Sequence, residues 1–439
     1  MPKRYFAKPK KSGARSGIAA LLLITVLLVA GGAAYLFWNG RPVLLGRSGA
    51  DLDAARQALD AAQGLIAQNN FAAAAEALKP VLKLGDPALT PRAIMLQADA
   101  DAGAGNADAA LRGLEQGMND YRSSPEYPAL TTRYARQLEK AGHREEARNL
   151  YQSLRENAPA AFRAAGITGL GRLKEAEGGL VAARDLYREG IEAAPWGGPE
   201  WNEAADPLGR LNVALIFSPN ATPESRYYAI EKGDSITSIG IKLNTTQGLL
   251  LRANNMTDST RLTLGARLKY TPKDFSIVIE RSTCQLFVFD NRGLFKRYHC
   301  GLGMPGHETA LGKFTIGNKQ KDPTWFKPGA GPVTSGDPEN ELGTRWMPLV
   351  PAEPNLPTDL GIHGTTHPET IGQYSSHGCA RLTNDEVEEL YDLVVRSTPV
   401  IIVDKYTPGD ATAAAPSGDD AAGTPGETAA TAEPPAKQT

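Results

Sequence analysis

The sequence predicts a multidomain protein with four parts: an N-terminal transmembrane helix, an all-α helical-repeat region, a small β-α-α-β module and a mainly-β domain. Three observations predict this architecture. The chain has 439 residues, enough for about three domains of roughly 150 residues each. A long apolar run without charge stands near the start of the chain. After it, Ala- and Leu-rich helical sequence gives way to alternating apolar sequence rich in Gly and Pro.

Overall composition excludes two broad classes of protein. Lys and Arg number 47 against 49 Asp and Glu, and apolar residues make up 41% of the chain. This balance fits neither a globally disordered chain nor a basic nucleic-acid binder, so we expect no nucleic-acid partner. The 3 cysteines are too few for a disulfide framework, and none lies in a CxxC pair.

The N-terminus has the pattern of a signal anchor. Residues 1–17 carry Lys and Arg but no acid, and the charge-free run over residues 18–38 would span about 31 Å as a helix. Retention of the basic flank in the cytoplasm would place the bulk of the chain in the periplasm or cell wall. A cleavable signal peptide is the alternative. We favour a single-pass anchor in the cytoplasmic (inner) membrane because the run continues to Phe37 and Trp38, which suit the far interface.

Residues 51–199 contain a repeated helical pattern. The segment from Glu146 to Tyr151 is matched 36 residues later by the segment from Ala182 to Tyr187. Helical hairpins at this spacing resemble tetratricopeptide arrays, in which each unit buries its apolar face on the next. We interpret the region as four loose repeats. The resemblance implies a surface for a protein partner, and a spacer without a specific ligand fits equally well.

Residues 226–272 predict the β-α-α-β module. A strand at residues 227–230 is followed by a turn, a helix with Ile236 and Ile239 on one face, a second helix over residues 249–254 and a strand over residues 264–270.

This order resembles a LysM module. The matching residues are the turn that ends in Ile236, the Asn pair after the second helix, and the Leu and Gly pattern that ends at Pro272. The resemblance implies binding of N-acetylglucosamine-containing glycan, and the alternative is a structural hinge without affinity. The implied glycan-binding residues are Gly233, Asp234, Ser235, Asn254 and Asn255.

Residues 275–404 predict the mainly-β domain. Strands are expected over residues 276–280, 285–290, 294–299 and 399–403, with a tight turn at 290–293 and a long loop over 323–343. Thr383 and Glu386 form a capping box for a helix that runs to Val395. The tail over residues 407–439 is poor in apolar residues, so we expect it to be disordered.

Cys379 has the surroundings of a nucleophile. Gly378 allows a turn in which successive N–H groups point at an oxyanion, and an imidazole nearby can accept the thiol proton. An unperturbed thiol, with a pKa near about 8.5, is mostly protonated at neutral pH, so this partner matters. Both His363 and His377 are candidates. A zinc site formed with His367 is the competing interpretation, but Gly364 and Pro368 disfavour the helix that would align such ligands.

The sequence of residues 275–404 resembles the YkuD-like L,D-transpeptidase catalytic domain, which acts on bacterial peptidoglycan. His363, Gly364 and Thr365 match the first part of its signature, and residues 376–382 match the second. The resemblance implies a cysteine acyltransferase that needs no metal or organic cofactor.

The resemblance also implies roles for individual residues. Cys379 would be the nucleophile and His363 the general base, oriented by a carbonyl near Gly364. The N–H groups of Gly378 and Cys379 would form the oxyanion hole, and His377 would shape the pocket. The remaining pocket and substrate-side candidates are Ser376, Thr365, Arg381, Trp325, Trp346 and Arg345. Arg381 could instead pair with Asp385, and Arg345 could simply be solvated.

The implied reaction cleaves the tetrapeptide stem before its terminal D-Ala and transfers the acyl group to an amine of a neighbouring stem, giving a 3→3 cross-link. An L,D-carboxypeptidase or wall hydrolase of the same fold and a peptidoglycan-binding scaffold with a vestigial catalytic domain are the alternatives. Cys284 and Cys300 flank the predicted hairpin; we favour two buried thiols over a disulfide.

Overall fold

The computed structural model describes residues 49–257, 259–327, 329 and 331–408. The predicted cytoplasmic flank (1–17), the membrane span (18–38) and residues 409–439 of the predicted tail lie outside these ranges. Within them, the structure contains no helix whose length and hydropathy would allow it to cross a membrane.

The chain divides into two compact units, one up to Leu130 and the other from Thr131 onward. The described part of the first unit is helical. Its helices are α1 (Gly49–Ala67), α2 (Phe71–Leu84), α3 (Leu89–Gly103) and α4 (Ala107–Asp120). Leu59, Leu78 and Val81 pack with small Ala side chains in its core, where Ala allows neighbouring helices to approach closely.

Five further helices follow. They are α5 (Tyr127–Lys140), α6 (Arg144–Asn157), α7 (Ala160–Ala176), α8 (Leu180–Ala193) and α9 (Pro199–Phe217). The helical region therefore continues past residue 199 to Phe217.

The offset of 36 residues is visible in the side-chain contacts. The Tyr151 hydroxyl donates to Glu139 at 2.6 Å, and the Tyr187 hydroxyl donates to Glu175 at 3.0 Å. Each tyrosine is buried, and each acid stands 12 residues before its partner. The repeated sequence pattern thus corresponds to a repeated structural contact.

Helix α9 packs into the C-terminal domain. Its residues Ile216 and Phe217 share a buried cluster with Phe295. The Asn212 amide donates to the Phe295 carbonyl at 2.8 Å, in a buried hydrogen bond. The end of the helical region is therefore part of the core of the C-terminal domain.

The predicted β-α-α-β order is confirmed in the module. Its elements are β1 (Arg226–Ala229), α10 (Ile236–Lys242), α11 (Gln247–Arg252) and β2 (Arg267–Tyr270). Strands β1 and β2 pair antiparallel. Helix α11 begins two residues earlier than predicted because Thr246 caps it, accepting from the Leu249 N–H. Strand β2 begins three residues late, because Ala266 closes a turn on Thr263.

The module is built onto the C-terminal domain. The Thr246 hydroxyl donates to the Asp392 carbonyl, and Leu249 lies in the main buried cluster of that domain. The Lys269 ammonium is buried and donates to the Leu215 carbonyl of α9 at 3.2 Å. The module, α9 and the C-terminal domain thus share one packed interior.

A nine-stranded sheet organises the C-terminal domain, with the order β14-β12-β11-β7-β15-β3-β4-β5 and β8 beside β11. The strands of the main path are β3 (Ser276–Glu280), β4 (Gln285–Asp290), β5 (Gly293–His299), β7 (Gly312–Ile316), β11 (Arg345–Pro351), β12 (Gly361–His363), β14 (Ala380–Arg381) and β15 (Pro399–Val403). The expected bounds of β3, β4 and β15 are confirmed, and β5 begins one residue earlier than expected.

Short strands, one α-helix and a 3-10 helix (Pro368–Thr370) complete the described part of the domain. The short strands are β6 (Leu302–Gly303), β8 (Gln320–Lys321), β9 (Trp325–Phe326), β10 (Pro332–Val333) and β13 (Tyr374–Ser376). Strands β9 and β10 pair within the segment expected to be a loop. Helix α12 (Asn384–Leu393) has the expected capping box of Thr383 and Glu386, but it ends before Val395 because Val394 adopts an extended conformation.

Candidate active site

Cys379 lies in the short connection between β13 and β14. Gly378 before it has φ of +117°, a left-handed conformation that favours glycine. The Ser376 hydroxyl accepts from the Gly378 N–H at 3.1 Å and donates to the Cys379 carbonyl at 2.7 Å. Ser376 therefore fixes the shape of the cysteine loop, as a supporting residue should.

His363 ends strand β12, which pairs parallel with β14 in the register His363↔Arg381. Strand β14 begins directly after Cys379, so this pairing brings the cysteine loop alongside β12. The Cys379 thiol donates to the Asp359 carbonyl at 3.8 Å. The His363 ring is buried, and its Nδ1 lies 2.7 Å from the Gly364 carbonyl. Because a carbonyl only accepts, we assign the proton to Nδ1, which leaves Nε2 as the basic nitrogen.

Both side chains are neutral at pH 7 in this structure. Burial lowers the pKa of His363 to about 4. Burial raises the pKa of the Cys379 thiol to about 11. The sequence alone led us to expect a partner that ionises the thiol. The structure instead contains a thiol and a neutral imidazole, because burial disfavours both charged forms.

His377 faces a second imidazole, that of His307, which is not among the site residues predicted from the sequence. The rings of His307 and His377 are 5.0 Å apart and meet edge to face. His307 follows β6, which pairs with β13 just before the cysteine loop. No local motif could reveal this contact, because the two histidines are far apart in sequence.

Arg381 is buried beside the cysteine loop. Its guanidinium donates to the Ser375 hydroxyl, while its Nε is buried without a partner among the described residues. The backbones of Arg381 and Gly301 exchange hydrogen bonds at 2.8 Å. Its observed contacts hold the loop, and the alternative pairing with Asp385 is not among the described ion pairs.

Asn384 positions the loop that covers His363, and it is not among the site residues predicted from the sequence. Its side-chain oxygen accepts from the Thr344 N–H at 3.2 Å. A Cβ on Gly343 or Gly364 would come within 2.3 or 2.2 Å of that oxygen, so both positions require glycine. Thr365 beside them is buried and accepts from the His367 N–H at 3.0 Å. The polar first residue of a capped helix was the available signal for Asn384.

The three candidate substrate-binding residues lie in different surroundings in the structure. The Trp346 ring lies 5.6 Å from the His363 ring, so this residue joins the site. Arg345 instead contacts α12, with Glu388 at 3.5 Å and the Tyr391 ring at 5.5 Å. Trp325 is half-buried in β9 and carries Lys327 over its ring at 5.7 Å.

The glycan-binding candidates form the turns of the module. Gly233 has φ of +91°, Asp234 accepts from the Glu231 N–H at 2.7 Å, and Ser235 caps α10. The Asn254 amide donates to the Leu250 and Lys269 carbonyls and accepts from the Lys269 N–H. Its side chain therefore holds the module together. Asn255 is exposed and left-handed, with φ of +52°.

The other potential ligands and thiols have separate surroundings. Across the described ranges, no three or more His, Cys, Asp or Glu side chains are grouped so as to hold a metal ion. His367 contacts Glu369 at 3.3 Å.

Cys284 and Cys300 are buried free thiols, as we expected from the sequence in preference to a disulfide. The Cys300 N–H donates to the Cys284 carbonyl at 2.9 Å.

Comparison with known proteins identifies two families along the chain. The model of the YkuD L,D-transpeptidase catalytic domain matches residues 274–402, and the LysM domain model matches residues 228–270. The chain is 31% identical over 133 residues to YqjB of Bacillus subtilis, which is assigned as an L,D-transpeptidase; the match covers 30% of this chain and 73% of YqjB.

A second relative is covered almost completely. YkuD of Bacillus subtilis, also assigned as an L,D-transpeptidase, is 30% identical over 183 residues, which cover 40% of this chain and 97% of YkuD. Among solved structures, an L,D-transpeptidase from Mycobacterium smegmatis matches with 16% identity and a TM-score of 0.25, covering 32% of this chain and 64% of the other.

Proposed function

From the membership of this chain in the YkuD family of L,D-transpeptidases, we propose that it forms 3→3 cross-links in peptidoglycan with Cys379 as its nucleophile. The observation that carries the proposal is the pairing of β12, which ends at His363, with β14, which begins directly after Cys379. The LysM domain supports peptidoglycan as the substrate. The LysM and YkuD domains imply that this enzyme functions in the periplasm or cell wall. We propose that residues 18–38 are its membrane anchor.

We assign proton transfer to His363. As Sγ of Cys379 bonds to the stem carbonyl carbon, Nε2 of His363 takes the thiol proton, and the carbonyl oxygen becomes an oxyanion. Because the thiol pKa is about 11, this transfer accompanies attack and no stable thiolate precedes it. The carbon–nitrogen bond to D-Ala then breaks, the leaving amine takes the proton from His363, and a thioester remains.

The second half of the reaction returns the thiol. An amine of a neighbouring stem attacks the thioester carbonyl and gives a proton to His363. The carbon–sulfur bond breaks, and Cys379 recovers that proton. Water in place of the amine would give a carboxypeptidase.

We assign the oxyanion contact chiefly to the Cys379 N–H. The Gly378 N–H, the other candidate, already donates to Ser376. A donor held by a rigid turn stabilises the developing charge without reorganisation. The Ser376 hydroxyl keeps that turn rigid, because it hydrogen-bonds both the Gly378 N–H and the Cys379 carbonyl.

A carbapenem tests the nucleophile. Its strained carbonyl should acylate the Cys379 thiol, and intact-mass analysis of the full chain should show one adduct. Cys379→Ala should show none, whereas the matched variant Cys284→Ala should keep it because Cys284 is a buried thiol elsewhere. An adduct on Cys379→Ala would reject the assignment.

The acceptor is tested by products. Incubation with disaccharide-tetrapeptides should yield a dimer that has lost one D-Ala, identified by mass spectrometry. A tripeptide product without dimer would establish the carboxypeptidase instead. Bound substrate without any product, in a folded preparation that a carbapenem also fails to acylate, would favour the binding scaffold with a vestigial catalytic domain.

We propose that the module binds glycan through its first turn. Gly233→Ala should strain that turn, where φ is +91°, and lower pelleting with insoluble peptidoglycan several-fold. Gly265→Ala is the matched control, with φ of +79° in another turn of the same module. Equal pelleting of the two variants would contradict glycan binding through the first turn. Point changes are required here, because deleting the module would remove Leu249 from the catalytic core.

A further inference from the structure

A polar cleft of about 830 Å³ lies between the LysM module and the catalytic domain. Three segments line it: the end of α10 with the start of α11, the loop between β7 and β8 with Lys321, and the end of α12 with the residues after it. Neither Cys379 nor His363 is among its lining residues, and nor are the turn residues Gly233 and Asn255. The cleft is therefore distinct from both proposed sites.

The walls of the cleft are fixed against each other. Asp392 receives the Thr246 hydroxyl on its carbonyl, and its carboxylate lies 3.4 Å from the Arg252 guanidinium. A Cβ on Gly248 would come within 2.0 Å of the same carboxylate, so the two domains meet at close range there. The Lys319 ammonium donates to the Tyr391 and Val394 carbonyls at 2.6 and 2.5 Å. A ligand would enter a cavity that already exists.

The charges that remain unpaired in the cleft are positive. Asp392 pairs with Arg252, and Lys319 is committed to carbonyl oxygens. Lys321 and Arg396 are exposed, and neither has a carboxylate within 4.0 Å in the described part of the chain. Lys321 lies over the Tyr391 ring at 5.9 Å. Two cations without a carboxylate partner favour an anionic ligand.

Neutral donors and acceptors surround these cations. The cleft is also lined by amide and hydroxyl side chains, namely Thr237, Asn244, Thr245, Thr246, Gln247 and Asn318. The Thr245 hydroxyl is buried and has no partner among the described residues. Buried hydroxyls are normally satisfied, so this one is a ready contact for an amide-rich ligand. Ile241, 79% exposed at the same cleft, adds apolar surface.

Lys321 of the cleft and His363 belong to different faces of the sheet. Lys321 pairs with Arg345 in the β8–β11 ladder, while the next residue, Trp346, pairs with His363. Successive residues of a strand point to opposite faces. The observed contacts agree, because Arg345 faces Tyr391 of α12 and Trp346 faces His363.

We propose that this cleft is a second substrate site, which binds the carboxylates of a peptidoglycan stem peptide through Lys321 and Arg396. This inference rests on the proposed function, because it assumes that stem-bearing peptidoglycan is the substrate. The amides and the Thr245 hydroxyl meet the peptide groups of the stem. The bound stem is one that is not being acylated, since neither Cys379 nor His363 lines the cleft.

Charge reversal tests the site in the full chain. Lys321→Glu/Arg396→Glu should raise the Kd for a disaccharide-tetrapeptide by about tenfold or more, because two attractive charges become repulsive. The affinity of the parent should fall with added salt, and the variant should lose most of that dependence. Lys321→Gln/Arg396→Gln, which cannot introduce repulsion, should give a smaller loss in the same direction.

The control matches the change in charge. Lys140→Glu/Arg144→Glu reverses two exposed cations of the helical region and should bind as the parent does. A peptide-free glycan strand is the second probe, and its affinity should not change in any variant. A loss for the peptide-free strand, or equal loss in the control, would overturn the stem-carboxylate site, and so would unchanged affinity in both cleft variants.

Acylation by a carbapenem tests the catalytic function independently of stem binding in the cleft. All cleft variants should acylate at the parental rate, since neither cation contacts Cys379. A chain that acylates normally and loses stem affinity supports the cleft. If the parent fails to acylate, the catalytic proposal fails, while the binding result still decides the cleft.

Discussion

At the residue scale, the central feature is a buried neutral pair in place of an ion pair. Burial holds the pKa of Cys379 near 11 and that of His363 near 4. His363 is therefore a base above about pH 4, and the thiol stays protonated until about pH 11. We expect carbapenem acylation to show a plateau between those limits, with its acid limb set by His363. An acid limb near pH 6.5 would show that an exposed imidazole is the base.

The two candidate bases are separated by substitution. His363→Ala should lower acylation by on the order of a hundredfold, because it removes the proton acceptor. His377→Ala should cost less, since its observed contact is the ring of His307. Rates of acylation across pH, with His367→Ala as the control, measure this. A larger loss in His377→Ala would transfer the role of base to that residue.

The buried imidazole also links stability to pH. Its folded pKa of about 4 lies below the reference value of 6.5, so the unfolded chain binds the extra proton first. Stability should therefore rise with pH from about 4 to 6.5 and level off above that range. His363→Gln should flatten this limb in a series of thermal unfolding curves. A limb of unchanged slope would place its origin elsewhere.

At the scale of elements, Asn384 joins the start of α12 to the loop over the catalytic histidine. Asn384→Ala should leave the Thr344 N–H unpaired and loosen Gly343 and Gly364, lowering acylation about tenfold. His363 would keep its pKa, so the pH profile should fall without changing shape. Asp385→Ala, one residue along the same helix, is the control. A shifted acid limb in Asn384→Ala would mean that Asn384 acts on ionisation rather than position.

Sequence pattern predicted the elements well where periodicity and caps determine them. The bounds of β3, β4 and β15 were predictable from runs of apolar residues, and the start of α12 from Thr383 and Glu386. The order of elements in the module was equally visible. The starts of α11 and β2 were displaced, because a threonine cap and a turn determine them locally.

Contacts between distant segments could not be predicted. The His307–His377 pair and the Asn384 contact join residues that no motif connects. The raised pKa of Cys379 depends on burial, which the surrounding fold creates. The direction of Arg345 toward α12 depends on which side of β11 the helix covers.

At the scale of the whole molecule, the domain that matches the family model shares its core with segments outside its bounds. Ile216, Phe217 and Leu249 contribute to its core from outside residues 274–402. A fragment of residues 274–408 should therefore melt well below a fragment of residues 199–408, because several apolar side chains lose their cover. Thermal unfolding of both fragments measures this. Equal melting temperatures would show that α9 and the module only rest on the surface.

The shared interior also limits how such a protein can change through recombination. Thr246, Gly248 and Leu249 are shaped to one partner surface, and Lys269 reaches the carbonyl of Leu215. A LysM sequence copied from another gene would carry its glycan groove but not these contacts. We therefore expect residues 199–408 to evolve as one unit. A substitution on one side of these contacts should be compensated by a substitution on the other side, and replacement of the LysM module alone should be disfavoured.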